Sequence, residues 1–387
     1  MKTGVGQKRK IGRSITALLI VLFSFQVIVM QGQSSPESFK KFESKDTDST
    51  NALFFRVHNS NYFVNDEYFN DFVEGYTLIG FFVSPKLVYI PFKNLKFETG
   101  VHLEKYSGVD DFSRVLPILR IHYQASESVG IVLGSLYGNA SHDLPSPMFD
   151  NEYFFKENTE SGLQFLFDTK FYTGDIWINW QQFIFKGDNK PEIFTVGLAN
   201  KIHLPFFGEK HQVSLPLNSV FVHQGGQINQ DVGPVLTQNN SSAGVNYTFH
   251  VGDPVFKKFS FESSLINFFD LSSPHTLPYI QGYGVYSSGK ADIYLFNLEV
   301  AHWYGDCFMN PRGKEIYASL SSFQEDYKEN KRALIIANLL FEKTLKQGIQ
   351  IGAGVQTYSD LYNKTMDYGY LFYLNFNQDF FIKKRKK

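Results

Sequence analysis

Apolar and polar residues alternate along much of this chain, most cleanly at 349–358. There Ile349, Ile351, Ala353, Val355 and Thr357 share one side, and Gln350, Gly352, Gly354, Gln356 and Tyr358 share the other. Successive side chains of a strand point to opposite faces, so the segment predicts a strand with one apolar and one polar face. Leu95, Phe97, Thr99, Val101 and Leu103 likewise oppose Lys96, Glu98, Gly100, His102 and Glu104. Helical spacing fits these stretches less well. The pattern predicts strands at 51–58, 76–91, 95–105, 114–124, 128–138, 161–172, 176–185, 192–204, 211–222, 243–252, 256–267, 278–287, 291–304, 332–345, 349–358 and 368–382. Many exceed the five or six residues usual in soluble strands and reach the 9–11 or so of a tilted membrane-crossing strand.

The connections alternate in length. Tight ones are expected at Ser126-Glu127, Thr173-Gly174-Asp175, Asp253-Pro254, Ser288-Gly289-Lys290 and Lys346-Gln347-Gly348, where turn-forming residues gather. Long polar ones cover 138–160, 223–242 and 305–330. Short turns on one side and long loops on the other are the plan of a membrane barrel. The expected fold is therefore all-β: a closed antiparallel transmembrane β-barrel over 51–382 with about sixteen strands, fourteen to eighteen being compatible. Pro85 can divide the second strand, and 315–323 is absorbed into an outer loop to keep the strand number even.

Composition bounds the function. A net charge of −1 over 387 residues gives no electrostatic reason to expect nucleic acid as a partner. A mean hydropathy of −0.21 suits strands that are half polar. Lys2, Lys8, Arg9, Lys10 and Arg13 precede an apolar run at 15–30, so 1–33 reads as a signal peptide. Residues 34–50 read as a disordered lead-in and 383–387 as a basic tail. Cys307 is the only cysteine, which excludes an intramolecular disulfide.

With its signal peptide, Gln33 near the expected mature start, dyad strands and the aromatic last strand 368–382, the chain resembles Gram-negative outer-membrane β-barrel proteins. The likeness is greatest to porin-like ones of the Bacteroidetes type. It implies residence in the outer membrane, contact with its lipid, and passage of small polar solutes. A homo-oligomer is compatible with it.

The polar face places Lys96, Glu98, Glu104, Arg120, His122, Asp168, Lys170, Glu262, Glu299 and Glu342 toward the lumen as pore lining. A Lys or Arg on the lipid side near the bilayer midplane would cost about 2–4 kcal/mol. The 138–160 loop carries Asp143, Asp150, Glu152, Glu157 and Glu160, an expected acidic constriction. Ser141-His142-Asp143 holds the residue types of a hydrolase triad, but adjacent residues do not converge as nucleophile, base and orienter. No spacing points to a metal or cofactor. The expectation is a porin-like channel that is not an enzyme. The alternatives are a barrel enzyme of lipid-hydrolase type and a plugged accessory subunit.

Overall fold

The computed structural model describes residues 50–383 apart from 139–141, 158, 209, 227–232 and 346–347. The expected signal peptide, almost all of the lead-in and the last four tail residues lie outside the described residues. Sixteen antiparallel strands close into one barrel, each paired with its neighbours in sequence. They are β1 (Ala52–Glu67), β2 (Tyr76–Phe92), β3 (Leu95–Tyr106), β4 (Arg114–Ser126), β5 (Val129–Ser135), β6 (Ser161–Asp168), β7 (Tyr172–Gln182) and β8 (Ile193–Leu204). They continue as β9 (His211–Gln224), β10 (Leu236–His250), β11 (Phe256–Asp270), β12 (Gln281–Ile293), β13 (Phe296–Asp306), β14 (Lys331–Thr344), β15 (Ile349–Asp360) and β16 (Met366–Lys383).

Alternation decides which side each residue takes. Phe55, Leu87, Phe97, Leu119, Phe261, Val300 and Phe372 are exposed on the outer wall. Arg56, Lys86, Glu98, Arg120, Gln164 and Asn375 are buried on the inner one. Short turns close one end of the barrel and the longer connections the other, and the two longest of these are 136–160 and 307–330.

Both long loops fold into the outer half of the lumen and pack there as a core. Phe149 and Met148 from the first and Phe308, Ile316 and Tyr317 from the second join Trp177, Trp303, Leu334 and Tyr358 of the wall. A four-residue helix, α1 (Tyr153–Lys156), sets Phe154 and Phe155 against Tyr62, Phe82 and Leu371. Bulky rings on the inner wall need small neighbours. A Cβ at Gly284 would sit 2.0 Å from the Trp303 indole, and one at Gly352 would sit 2.1 Å from the Tyr373 ring.

Two expected turns are displaced. Ser288-Gly289-Lys290 runs inside β12, and the turn falls at 294–295. Thr173-Gly174-Asp175 runs inside β7, and the turn falls at 169–171. Polar residues are ordinary on the wet face of such a barrel, so composition alone does not mark a turn. Strand β10 starts at Leu236, ahead of the expected 243. Its polar stretch is satisfied in place, with Asn239 Nδ2 donating to the Val220 carbonyl at 3.1 Å and Asn240 Nδ2 to that of Met309 at 2.9 Å. Pro85 does not divide β2, and the register with β3 is the same on both sides of it, at Val83↔Leu103 and Lys86↔Gly100.

Candidate functional site

Three adjacent strands set a row of chemically active side chains on the lumen face. His58 of β1 stands opposite Ser84 of β2. Ser84 Oγ lies 2.9 Å from His102 Nδ1 of β3, next to Pro85. All three are buried. Ser60, two residues beyond His58 on the same face, donates to Asn375 Oδ1 at 2.6 Å. A serine hydroxyl within hydrogen-bond reach of an imidazole nitrogen is a nucleophile–base contact.

Cations surround the row. Glu98 receives Arg120 at 3.2 Å, Lys96 at 3.6 Å and Lys86 at 3.7 Å. Arg56 grips Asp379 through two bonds, at 2.7 and 3.1 Å. Four basic groups thus face two carboxylates. The Arg120 guanidinium also lies 4.2 Å from the centre of the Tyr137 ring, whose hydroxyl meets His122 Nδ1 at 2.8 Å.

A second cluster pins the 136–160 loop. His142 is buried, stacked on Trp177, with Nδ1 2.9 Å from Asp175 and Nε2 2.6 Å from Glu160. Burial disfavours its charge, but the two carboxylates overcome this and raise its pKa to about 9. It is therefore a fixed cation with both nitrogens donating, and no lone pair is left for a base. Asp143 instead pairs with Lys201, and Ser141 lies outside the described residues. His142 and Asp143 therefore do not meet as base and orienter.

The acids of this loop are partnered. Glu152 meets Lys314 and Lys156, Glu157 meets Arg312 at 2.9 Å, and Glu160 holds His142. Burial works against charge on Glu152, yet Lys314 and Lys156 hold it well below the usual carboxylate range. Asp150 accepts from the Glu152 backbone N–H at 3.0 Å.

The wall residues divide by location. Lys96, Glu98, Glu104 and Arg120 are buried in the packed β1–β4 side, beside half-buried His122. Glu262 and Glu299 line a cavity of about 340 Å³ toward the short-turn end, with Lys201, His203, His250 and Lys290. Glu342 accepts from the Tyr373 hydroxyl. Asp168 is exposed at the end of β6, and Lys170 sits in the turn that follows rather than on the wall.

Sequence spacing missed Ser84 and His58, because their relation runs across strands and depends on a register that no motif encodes. Among the described residues, no three His, Cys, Asp or Glu side chains gather as a metal site.

Solved structures similar to this chain include outer-membrane proteins. A loop-deletion mutant of OmpT from Vibrio cholerae is 9% identical with a TM-score of 0.49, covering 86% of this chain and 100% of its own. OprD from Pseudomonas aeruginosa is 9% identical with a TM-score of 0.49, covering 91% and 98%. OpdL from Pseudomonas aeruginosa is 12% identical with a TM-score of 0.49, covering 84% and 99%. No curated protein matches. The family model that matches is described as lipid A 3'-O-deacylase-type and covers residues 45–385. That match overturns the expectation that the chain is not an enzyme, since the family is named for hydrolysis of an acyl ester. A closed barrel with an apolar exterior in such a family resides in the outer membrane of a Gram-negative bacterium.

Proposed function

The chain belongs to the lipid A 3'-O-deacylase-type family, and from that premise we propose that it is an outer-membrane hydrolase that removes an ester-linked acyl chain from a glycolipid. The Ser84–His102 contact carries the reading. Ser84 Oγ attacks the ester carbonyl while His102 Nδ1 takes its proton. The C–O bond to the sugar breaks, and the proton passes to the departing sugar oxygen. Water then attacks the acyl-serine, gives its proton to His102, and releases the fatty acid and free Ser84. Lys86, two residues from Ser84 on the same face, contributes positive charge where the oxyanion develops. The basic surplus around it also suits a phosphorylated headgroup.

The row offers a second pairing, His58 with Ser60, which share a face about 7 Å apart along β1. Purified protein in lipid vesicles, incubated with lipid A, should release fatty acid detectable by mass spectrometry. Ser84→Ala should abolish release and Ser60→Ala should not. The reverse pattern would transfer the role to Ser60, and full activity in both variants would sink the reading.

The cavity beside Lys201 and Glu299 favours one further reading, a channel for small polar solutes narrowed at its outer end by the two long loops. Liposome swelling with sugars of graded size tests it, and swelling no faster than in protein-free vesicles rejects it.

A further inference from the structure

The barrel wall is not equally tall all round. β5 has 7 residues and β6 has 8, against 13 in β4 and 11 in β7. At about 3.3 Å per residue and a tilt of about 40°, seven residues rise about 18 Å, short of an apolar band about 25 Å tall. The β4–β5 ladder ends at Arg120↔Gly134 and the β6–β7 ladder at Gly162↔Asn179. Beyond those pairs, no strand among the described residues lies beside 114–119 of β4 or 180–182 of β7 on that side. The result is a notch in the wall at the long-loop end, above β5 and β6.

The notch is built into the backbone. Gly134 has φ +92°, a left-handed conformation that turns β5 off the wall, and a Cβ there would lie 2.1 Å from the Leu119 carbonyl oxygen. The chain then runs inward through buried Leu136 and Tyr137. An N–H left unpaired in hydrocarbon costs several kcal/mol, so a free strand edge facing lipid is normally forbidden. This edge is blunted. Leu119 N–H donates to Ser135 Oγ at 3.1 Å, and Pro117, next in line on that edge, has no N–H.

The notch adjoins the proposed active row. Its β4 edge presents Val115 and Leu119 to lipid, about 60% exposed each, and Leu116 and Ile118 to the lumen. Leu116 pairs directly with His102, one strand spacing away, about 5 Å. We infer that this notch admits the acyl chain of an outer-leaflet lipid sideways from the membrane to the Ser84–His102 pair. The occupant follows from place. A gap at this height in a membrane barrel opens onto acyl chains, its rim is apolar, and on its β4 edge the Leu119 N–H is capped and Pro117 offers none. The inference rests on the hydrolase reading for its purpose but not for its test.

Vesicles of phosphatidylethanolamine carrying a diazirine in the acyl chain, irradiated with the reconstituted protein, report which residues touch chains. Adducts on lumen-facing Leu116 and Ile118, alongside Val115 and Leu119, are the expected result. Adducts confined to outward-facing residues overturn it. Ser84→Ala, which removes the nucleophile, should leave the Leu116 and Ile118 adducts in place. Loss of hydrolysis and loss of lateral access are thus read separately.

Discussion

His142 lies flat on Trp177, the ring centroids 3.5 Å apart and the planes 5° from parallel. An imidazolium quenches the fluorescence of an indole on which it stacks, and a neutral imidazole does so less. Burial alone would lower the pKa of His142, but Glu160 and Asp175 raise it from 6.5 to about 9. A raised folded-state pKa means that the anchor is fully in force below about pH 6.5 and is lost as pH climbs through about 9. Tryptophan emission should therefore rise between about pH 8 and 10. The step should vanish in His142→Gln. A flat wild-type titration would contradict the assignment.

If Ser84 and His102 act as one unit, Ser84→Ala and His102→Gln should each cut ester hydrolysis about 10²–10⁴-fold. The double variant should be no worse than either single one. Single-turnover fatty-acid release measures all three. Multiplied losses in the double variant would give the two residues separate roles.

Lys314, buried, sits between Glu152 and Asp66 and ties the 307–330 loop to the 136–160 loop and to β1. Lys314→Met leaves Asp66 without that cation and Glu152 with only Lys156. The loops should loosen, and ion conductance through a planar bilayer should rise several-fold. Adding Glu152→Gln should partly restore the closed state. Unchanged conductance in Lys314→Met would show that the apolar core around Phe149 and Tyr317 suffices.

Gly284→Ala places a methyl group into the Trp303 indole. Overpacking of this kind costs about 1–3 kcal/mol. The temperature at which the folded barrel denatures in detergent should fall, and Gly289→Ala, which meets nothing within 4 Å, serves as control. Equal stability of the two variants would mean that the indole swings aside freely.

The architecture was legible because the period-two pattern and the alternating connection lengths are both imposed by the bilayer. What the pattern could not separate was a turn from a wet inner wall. Ser288, Gly289 and Lys290 look like a turn, yet they run within β12 with Ser288 and Lys290 on its inner face, and the true turn at 294–295 is Tyr-Leu. The candidate site was less legible. The Ser84–His102 contact joins residues 18 positions apart on neighbouring strands, and the partners of His142 come from positions 160 and 175. Charge content did mark the 136–160 loop, but not that its acids would find bases in β8 and in the 307–330 loop.

Arg56 and Asp379, 323 positions apart, clasp across the β1–β16 seam, whose register runs from Phe54↔Phe381 to Glu67↔Tyr368. Contacts so distant in sequence form late, because the chain between them must first be brought to order. The first strand must therefore wait, edge bare, for the final one to be delivered. A chain cut short before β16 would keep two long unpaired edges, a template for aggregation. The seam thus acts as an inspection step: only a finished polypeptide can shut itself, and an unfinished one stays visible to the proteases of the envelope.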